Sequence, residues 1–422
     1  MAARLKPIAL ARPWMGEEEA AAAREAILSG WITQGPRVQA FEAAFAGMLG
    51  SRGACAVSSG TAALHLALLA AGVAPGDVVI TVSHSFIATA NAVRYCGAEP
   101  FFVDIDPQTL NMDPAALERA LAEDFEARDG GLWLRAPQRL QTRQSPLARA
   151  PGPIGRLAAI EVVHQVGMPA DLAAIVPISA RHGVPLIEDA ACAVGSAIRA
   201  GAGGGWEPIG RPHGLAACFS FHPRKLLSTG DGGMIVSDDA ALLAAARQLR
   251  HHGMSVSDLE RHRAGEVLFE SYERTGFNYR MTDVQAAIGR VQLERLPAIL
   301  ERRREQAARY AELLRGLPGV EAPREPGYAR TNWQSYVVRL ARPEWQAPVM
   351  KALRARGVAS ARGIMCAHLE APYRDAWPAG CLPHSEAMRG RGLILPLHHE
   401  LAAEDQQRVV EALRSALRDA AA

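Results

Sequence analysis

The chain has no long hydrophobic run: no uninterrupted apolar stretch approaches the ~20 residues that a membrane-spanning helix needs. Its beginning, MAARLKPIALARPW, has neither an extended apolar core nor a small-residue cleavage site, so the sequence predicts no secretory leader. The six cysteines include no C-x-x-C pair, and a chain of this length does not need disulfides, so we expect reduced, mostly buried thiols. These absences predict a cytoplasmic protein without a membrane anchor.

Net charge is also nearly absent, since 46 Lys and Arg residues balance 44 Asp and Glu residues to +2. Nucleic-acid binding normally needs a concentrated basic surface, so we do not expect it. No zinc-site spacing and no convincing Ser–His–Asp pattern are found, so we expect no bound metal and no serine hydrolase. What the composition does contain, 49% hydrophobic and 21% charged residues, is typical of a globular enzyme.

The 422 residues are too many for one hydrophobic core. Residues 1–50 are predicted to form an N-terminal arm and helix. Over residues 51–295, short β-branched runs alternate with helical segments, which predicts a large α/β domain of three layers with a mostly parallel sheet. Residues 296–422 are predicted to form a smaller C-terminal α+β domain. A long helix is expected from about Arg290, with Pro297 bending it or starting a new helix.

An unusual segment interrupts the alternation at about residues 123–157. It is rich in Pro, Gly and Arg and has no clear periodicity, so we interpret it as a long surface loop. Loops of this length are usually functional or disordered, and a floppy insertion is the simpler interpretation.

The strongest local signal is the segment CFSFHPRKLLSTGDGGMIVSDD, residues 218–239. A short strand ends at Ser220, and Pro223 with the following glycines predicts a tight loop around Lys225. Lysine is normally a solvated surface residue, so a lysine in a buried turn between two strands is unusual. An amine held away from water there is available for Schiff-base chemistry.

A second signal is the carboxylate that ends the apolar run VPLIEDAACAVG, residues 184–195. Asp189 would lie at the carboxyl end of a parallel strand, where α/β sheets bind ligands. A half-buried carboxylate needs a partner charge, which a protonated pyridine nitrogen would supply. Metal binding is the competing interpretation, but no ligand cluster follows in the sequence.

Three further segments are ambiguous when taken alone. SSGTAALHLALLAAG opens a helix whose N-terminus suits a phosphate, although Ser59 or Thr61 acting as a plain N-cap is the simpler interpretation. Phe86, just past a strand, could stack on a planar ring or belong to the core, and the core is the simpler interpretation. Asn278 could bind a phosphate or merely form the turn before a helix capped by Thr282 or Asp283.

Taken together and in this order, the five segments resemble the sugar-nucleotide aminotransferases of the DegT/StrS type. These are fold type I pyridoxal-phosphate enzymes with the aspartate-aminotransferase fold. The strings FSFHPRK and NYRMTDVQAAIG carry most of the resemblance. It extends nearly from end to end, from GWITQGPRVQAFEAAFAGMLG to LPLHHEL.

The resemblance implies a cofactor, pyridoxal 5′-phosphate, and a role for each matching residue. It implies that Lys225 forms the Schiff base, that Asp189 pairs with the pyridine nitrogen, and that Phe86 stacks on the ring. The implied phosphate contacts are Gly60, Thr61, Ser220 and, from the other subunit, Asn278. Because of that last contact, the resemblance implies a homodimer with shared active sites.

Two departures from the family pattern concern the substrate. Cys192 stands where the family usually has a glutamine near the phenolic oxygen of the cofactor, and a thiol is only a weak donor. We therefore count Cys192 among the cofactor contacts, with altered electronics or substrate choice as its consequence. The segment 123–157 adds roughly 30 residues, and such loops often form lids or partner surfaces.

The resemblance implies transfer of an amino group, from glutamate, to a keto-sugar linked to a nucleotide, in amino-sugar biosynthesis for a surface polysaccharide or a small natural product. Relatives that dehydrate sugars typically carry histidine in place of the lysine, so Lys225 argues against that reaction. Two alternatives stay open: a transaminase of a cyclitol or other non-nucleotide ketone, and a non-catalytic cofactor-binding regulatory protein.

Overall fold

The computed structural model describes residues 6–199, 204–257, 261–262 and 264–421. The strands are β1 (Gly53–Val57), β2 (Val78–Val82), β3 (Glu99–Val103), β4 (Phe125–Arg128), β5 (Gly131–Leu134), β6 (Leu157–Val163), β7 (Leu186–Asp189), β8 (Ala197–Arg199), β9 (Trp206–Pro208), β10 (Ala216–Ser220), β11 (Gly233–Ser237), β12 (Val320–Glu321), β13 (Ala329–Arg330), β14 (Tyr336–Leu340), β15 (Ala361–Arg362) and β16 (Gly392–Leu395). The helices are α1 (Glu17–Leu28), α2 (Pro36–Leu49), α3 (Gly60–Ala70), α4 (Ile87–Tyr95), α5 (Pro114–Glu123), α6 (Leu172–His182), α7 (Ala240–Leu249), α8 (Asp283–Leu313), α9 (Gln346–Ala355), α10 (Pro383–Arg391) and α11 (Ala403–Ala421).

A seven-stranded sheet has the order β1-β11-β10-β7-β6-β2-β3. The pairs from β10 to β3 are all parallel, and only β11 runs antiparallel to its neighbours β10 and β1. Since the carboxyl ends of parallel strands share one edge, residues that follow β2, β7 and β10 lie at the same edge. Asp189 ends β7 opposite Val163 of β6 and Cys218 of β10.

Helices cover both faces of this sheet. Residues of α2, α5 and α6 share one buried cluster with Ile160 and Phe219. Residues of α3, α4 and α7 share another with Ile187 and Cys218. Strands buried on both faces are mostly apolar, which explains the short hydrophobic runs of the sequence. The three-layer α/β fold is confirmed.

The long helix α8 begins earlier than expected. Thr282, one of the two predicted caps, is its N-cap and accepts a hydrogen bond from the Gln285 N–H. The helix predicted after this cap and the long helix expected from about Arg290 are therefore one helix, which begins at Asp283. Pro297 lies inside it and starts no new helix. The Asp283 carboxylate accepts hydrogen bonds from the N–H groups of Gly35 and Val38 and so satisfies the N-terminus of α2.

A second, four-stranded antiparallel sheet of order β12-β14-β16-β15 packs against α9 and α11. Its buried cluster also includes Tyr310 of α8. The helix α8 spans residue 296, so the division into domains at that residue stays a prediction. Among the described residues, no helix is both long and apolar enough to cross a bilayer.

The segment 123–157 contains more regular structure than the sequence suggested. Strands β4 and β5 pair as a hairpin, and Leu140 and Leu147 beyond it are buried. The turn residues Asp129 and Gly130 have φ of 52° and 75°, the left-handed values that a tight hairpin turn requires. The interpretation of the whole segment as a loop was therefore wrong, and the Asp-Gly pair was the signal that should have predicted the hairpin.

Candidate active site

Asp189 is a buried carboxylate, 6% exposed, at the centre of the carboxyl edge of the large sheet. One oxygen accepts a hydrogen bond from the Thr89 hydroxyl at 2.8 Å, and the other accepts one from the Ala191 N–H at 3.1 Å. The two bonds fix the orientation of the carboxylate. The structure therefore holds an acidic side chain in one position at the edge where a ligand would bind.

Thr89 is a site residue that the sequence analysis missed. It lies in the first turn of α4, and its hydroxyl is 2.8 Å from that of Ser85. A hydroxyl has one proton to donate, so Thr89, which donates to Asp189, accepts from Ser85. Ser85 and Thr89 therefore form a relay that orients the carboxylate. The signal for it was the polar turn SHSFIATA around Phe86.

Glu161 was also missed, although a single acid in the apolar run AAIEVV was visible. It is fully buried on β6, two residues before the partner of Asp189 in the pairing with β7. Burial raises the pKa of Glu161 well above its usual range, and the charge of Asp189 raises it further. Both effects favour the neutral form of Glu161.

Lys225 lies in the irregular turn that follows β10, and it is partly buried. The turn is clamped by Gln334, whose amide oxygen accepts the Leu226 N–H at 3.1 Å and whose amide nitrogen donates to the Arg224 carbonyl at 2.5 Å. The Lys225 Nζ donates to Cys192 Sγ at 2.9 Å. Because Cys192 is three residues after Asp189, the amine and the acid border the same turn.

The N-terminus of α3 meets the end of β10. Ser59 caps the helix by accepting the Ala62 N–H at 3.1 Å, as expected of a plain N-cap. A Cβ atom on Gly60 would lie 2.7 Å from Ser220 Cβ, so only glycine permits this approach. The first N–H groups of a helix lack intrahelical partners, and the Ser220 hydroxyl lies beside them. Gly60, Thr61 and Ser220 thus form a cradle suited to a phosphate.

We expect Gly60→Ala to destabilise the protein by about 1–3 kcal/mol, because the new methyl group overlaps Ser220. Chemical denaturation measures this loss. The double variant Gly60→Ala/Ser220→Gly removes the overlapping Cβ atom and should regain most of the stability. Equal stability of the single variant and the wild type would contradict the close contact.

Phe86 and Asn278 are both exposed, and neither belongs to the core. Phe86 is 70% exposed at the N-cap of α4, on the same turn as Thr89, so the interpretation as a core residue was wrong. Asn278 lies opposite His251 in an isolated bridge. Among the described contacts, none joins Asn278 to Asp189 or Lys225 of the same chain.

The side chains at this edge fit one kind of ligand. A fixed carboxylate suits a protonated ring nitrogen, an exposed aromatic ring suits a flat heterocycle, and the cradle at α3 suits a phosphate. The Lys225 amine suits an aldehyde carbon. With the parallel sheet, these groups define an enzyme of the pyridoxal-phosphate-dependent class.

Comparison with known proteins gives the family. The chain belongs to the DegT/DnrJ/EryC1/StrS aminotransferase family, whose model matches residues 13–414. It is therefore an aminotransferase, and its cofactor is pyridoxal 5′-phosphate.

Three solved structures illustrate the similarity. The aminotransferase TlmJ from Streptoalloteichus hindustanus is 34% identical, with a TM-score of 0.80 over 98% of this chain and 100% of that one. DesV from S. venezuelae, in complex with a ketimine intermediate, is 30% identical, with a TM-score of 0.80 over 97% and 98%. NtdA from Bacillus subtilis, with bound cofactor PMP, is 26% identical, with a TM-score of 0.76 over 95% of this chain and 82% of that one.

Proposed function

We propose that the protein transfers an amino group from glutamate to a keto-sugar linked to a nucleotide. The observation that carries the proposal is the partly buried Lys225 amine, held 2.9 Å from Cys192 on the turn that begins with Asp189. An amine and a carboxyl group that border the same turn are what transamination needs, and a silent binding protein does not need the nucleophile. The substrate class follows from the resemblance of the motifs.

When bound, pyridoxal phosphate supplies a conjugated ring that accepts the electron pair left as a proton departs from carbon. Lys225 Nζ takes that proton from the α-carbon of the amino donor and returns one to the acceptor. With the cofactor bound, Asp189, oriented by Thr89, would accept a hydrogen bond from the ring nitrogen and keep it protonated. Phe86 would stack on the ring, and Ser220 with the α3 N-terminus would hold the phosphate.

Cys192 has a narrower role in this proposal. Its Sγ accepts the Lys225 N–H, so it positions the amine when the amine is free. Its thiol is a weaker donor toward a phenolic oxygen than a glutamine amide would be. Cys192 would therefore contact the cofactor without fixing it strongly.

We further propose a homodimer in which Asn278 contacts the phosphate held by the partner subunit. The exposure of Asn278 and Phe86 supports this arrangement. Val267 and Phe269, 79% and 88% exposed, lie on the segment that leads to Asn278 and would be covered in a dimer.

The proposal is tested in two half-reactions. Glutamate should bleach the near-visible absorbance of the purified enzyme. The resulting amino form should then aminate a nucleotide-linked keto-sugar, with products identified by mass spectrometry. The matched control is the same keto-sugar without its nucleotide, which should react far more slowly.

Other outcomes favour the alternatives. Equal rates with and without the nucleotide, or amination of a cyclitol ketone alone, would replace the proposed substrate class. Bleaching without product from any keto acceptor would favour the non-catalytic regulatory protein.

A further inference from the structure

Cys192 has an environment unlike that of four other cysteines. Burial raises the pKa of Cys55 to about 11 and those of Cys96 and Cys366 to about 12, so these thiols stay protonated. Cys218 is also buried, and its pKa is raised well above the usual range. Cys192 is only partly buried. Partial access to solvent is the first condition for oxidation of a thiol.

The second condition is a neighbouring cation. The thiolate is the form that attacks a peroxide, and a cation favours the thiolate. Cys192 has one, since its Sγ accepts a hydrogen bond from Lys225 Nζ at 2.9 Å. The chain has only three lysines, Lys6, Lys225 and Lys351, so a chance contact between a lysine amine and a thiol is not expected. Cys381 is exposed but lies beside His368 and Glu386.

We propose that Cys192 and Lys225 form an oxidation site, at which a hydroperoxide links sulfur to nitrogen in a sulfenamide. The Cys192 thiolate attacks the peroxide oxygen, the O–O bond breaks, and sulfenic acid and an alcohol or water result. The Lys225 amine then attacks the sulfur, the S–O bond breaks, and water leaves. Sulfur is oxidised by two electrons, and the peroxide is reduced by the same two.

The geometry favours the second step over further oxidation. Nitrogen is already at hydrogen-bond distance from sulfur, and the flexible four-carbon stem of lysine permits the shorter approach. A thiol reductant would cleave the S–N bond and restore both side chains, so the modification is reversible. It removes the one amine on which the proposed reaction depends.

We expect formation of the cross-link to depend on the state of the cofactor, and this expectation rests on the proposed function. If Lys225 binds the cofactor, its amine is engaged in the resting enzyme and free after glutamate has reacted. The cross-link should therefore form in the glutamate-treated enzyme and little in the resting enzyme. Oxidation would then stop the enzyme in mid-cycle.

The test treats both forms of the holoenzyme with hydrogen peroxide and maps peptides by mass spectrometry, with and without dithiothreitol. We expect a Cys192–Lys225 peptide pair that lacks two hydrogen atoms, is restored by dithiothreitol, and is lost in Cys192→Ser. In Lys225→Arg, which keeps the positive charge but not the nucleophile, Cys192 should proceed to sulfinic acid. Cys381 is the internal control and should be oxidised without any link to lysine.

The outcomes separate the two proposals. If Cys192 of the wild type goes to sulfinic acid or to a disulfide in both forms, the oxidation site is wrong. If the cross-link forms equally in both forms, the site stands, and the assignment of Lys225 to the cofactor fails.

Discussion

Replacement of Lys225 by alanine is expected to lower turnover by more than about 1,000-fold, equivalent to ~4 kcal/mol of barrier. The amine is the only group proposed to bind the cofactor covalently and to move the substrate proton, so both contributions vanish together. The near-visible absorbance of the bound cofactor should be lost at the same time. Steady-state kinetics and absorbance spectra of the same preparation measure the two effects.

Lys225→Arg is the matched control, because arginine keeps the charge and most of the volume but is always protonated. It should be as inactive as the alanine variant. Rapid turnover by Lys225→Ala would refute the assignment.

The Lys225→Ala variant also tests whether the two subunits of a dimer share each active site. Neither Lys225→Ala nor a variant of Asn278 should be active alone. In a re-associated mixture, half of the dimers would combine both chains, and each such dimer would have one intact site. About a quarter of the wild-type activity should then return. No recovery from a mixture proven to contain hybrid dimers would contradict the contact of Asn278 with the partner subunit.

The alternation of strands and helices was enough to predict the large parallel sheet. Strands such as β2 and β6 are buried at every residue, so their sequences are mostly apolar and easily recognised. Helix limits were less predictable. The cap at Thr282 was predicted, but its helix was not joined to the long helix expected from about Arg290, and Pro297 was overweighted although the helix continues through it.

Single residues of the site could be proposed from the sequence where a reactive side chain stands at or just after the end of a predicted strand. Asp189 ends β7 and Lys225 lies in the turn after β10, and parallel strands bring such ends to one edge. Thr89 and Glu161 could not be assigned in this way. Thr89 lies 100 positions before Asp189 in the sequence, on the helix that follows β2, so nothing in the sequence indicated their hydrogen bond. Glu161 is notable only because burial and the nearby Asp189 raise its pKa.

The contact between Cys192 and Lys225 lay equally beyond the sequence. The departure from glutamine was visible, but the 33 positions between the two residues gave no sign that they touch. Their approach depends on the adjacent pairing of β7 with β10, which brings the two following turns together.

Replacement of Asp189 by asparagine is expected to lower kcat by about 100- to 10,000-fold with little change in fold. Asparagine has the same shape and can still accept the hydrogen bond of Thr89. It has no negative charge, so it cannot keep the ring nitrogen protonated, and the ring becomes a weaker electron acceptor. The spectrum of the bound cofactor should change as well, and kcat and spectrum are measured on one preparation.

Glu161→Gln is the matched control, since Glu161 is a carboxyl group on the neighbouring strand whose pKa is raised by its burial and by Asp189. An amide replaces this carboxyl group at nearly constant shape, so both kcat and the cofactor spectrum should stay close to those of the wild type. Thr89→Val should fall between the two, because it leaves the charge of Asp189 but removes the hydroxyl that orients it. If Glu161→Gln were as damaging as Asp189→Asn, the acid that protonates the ring would not be Asp189 alone.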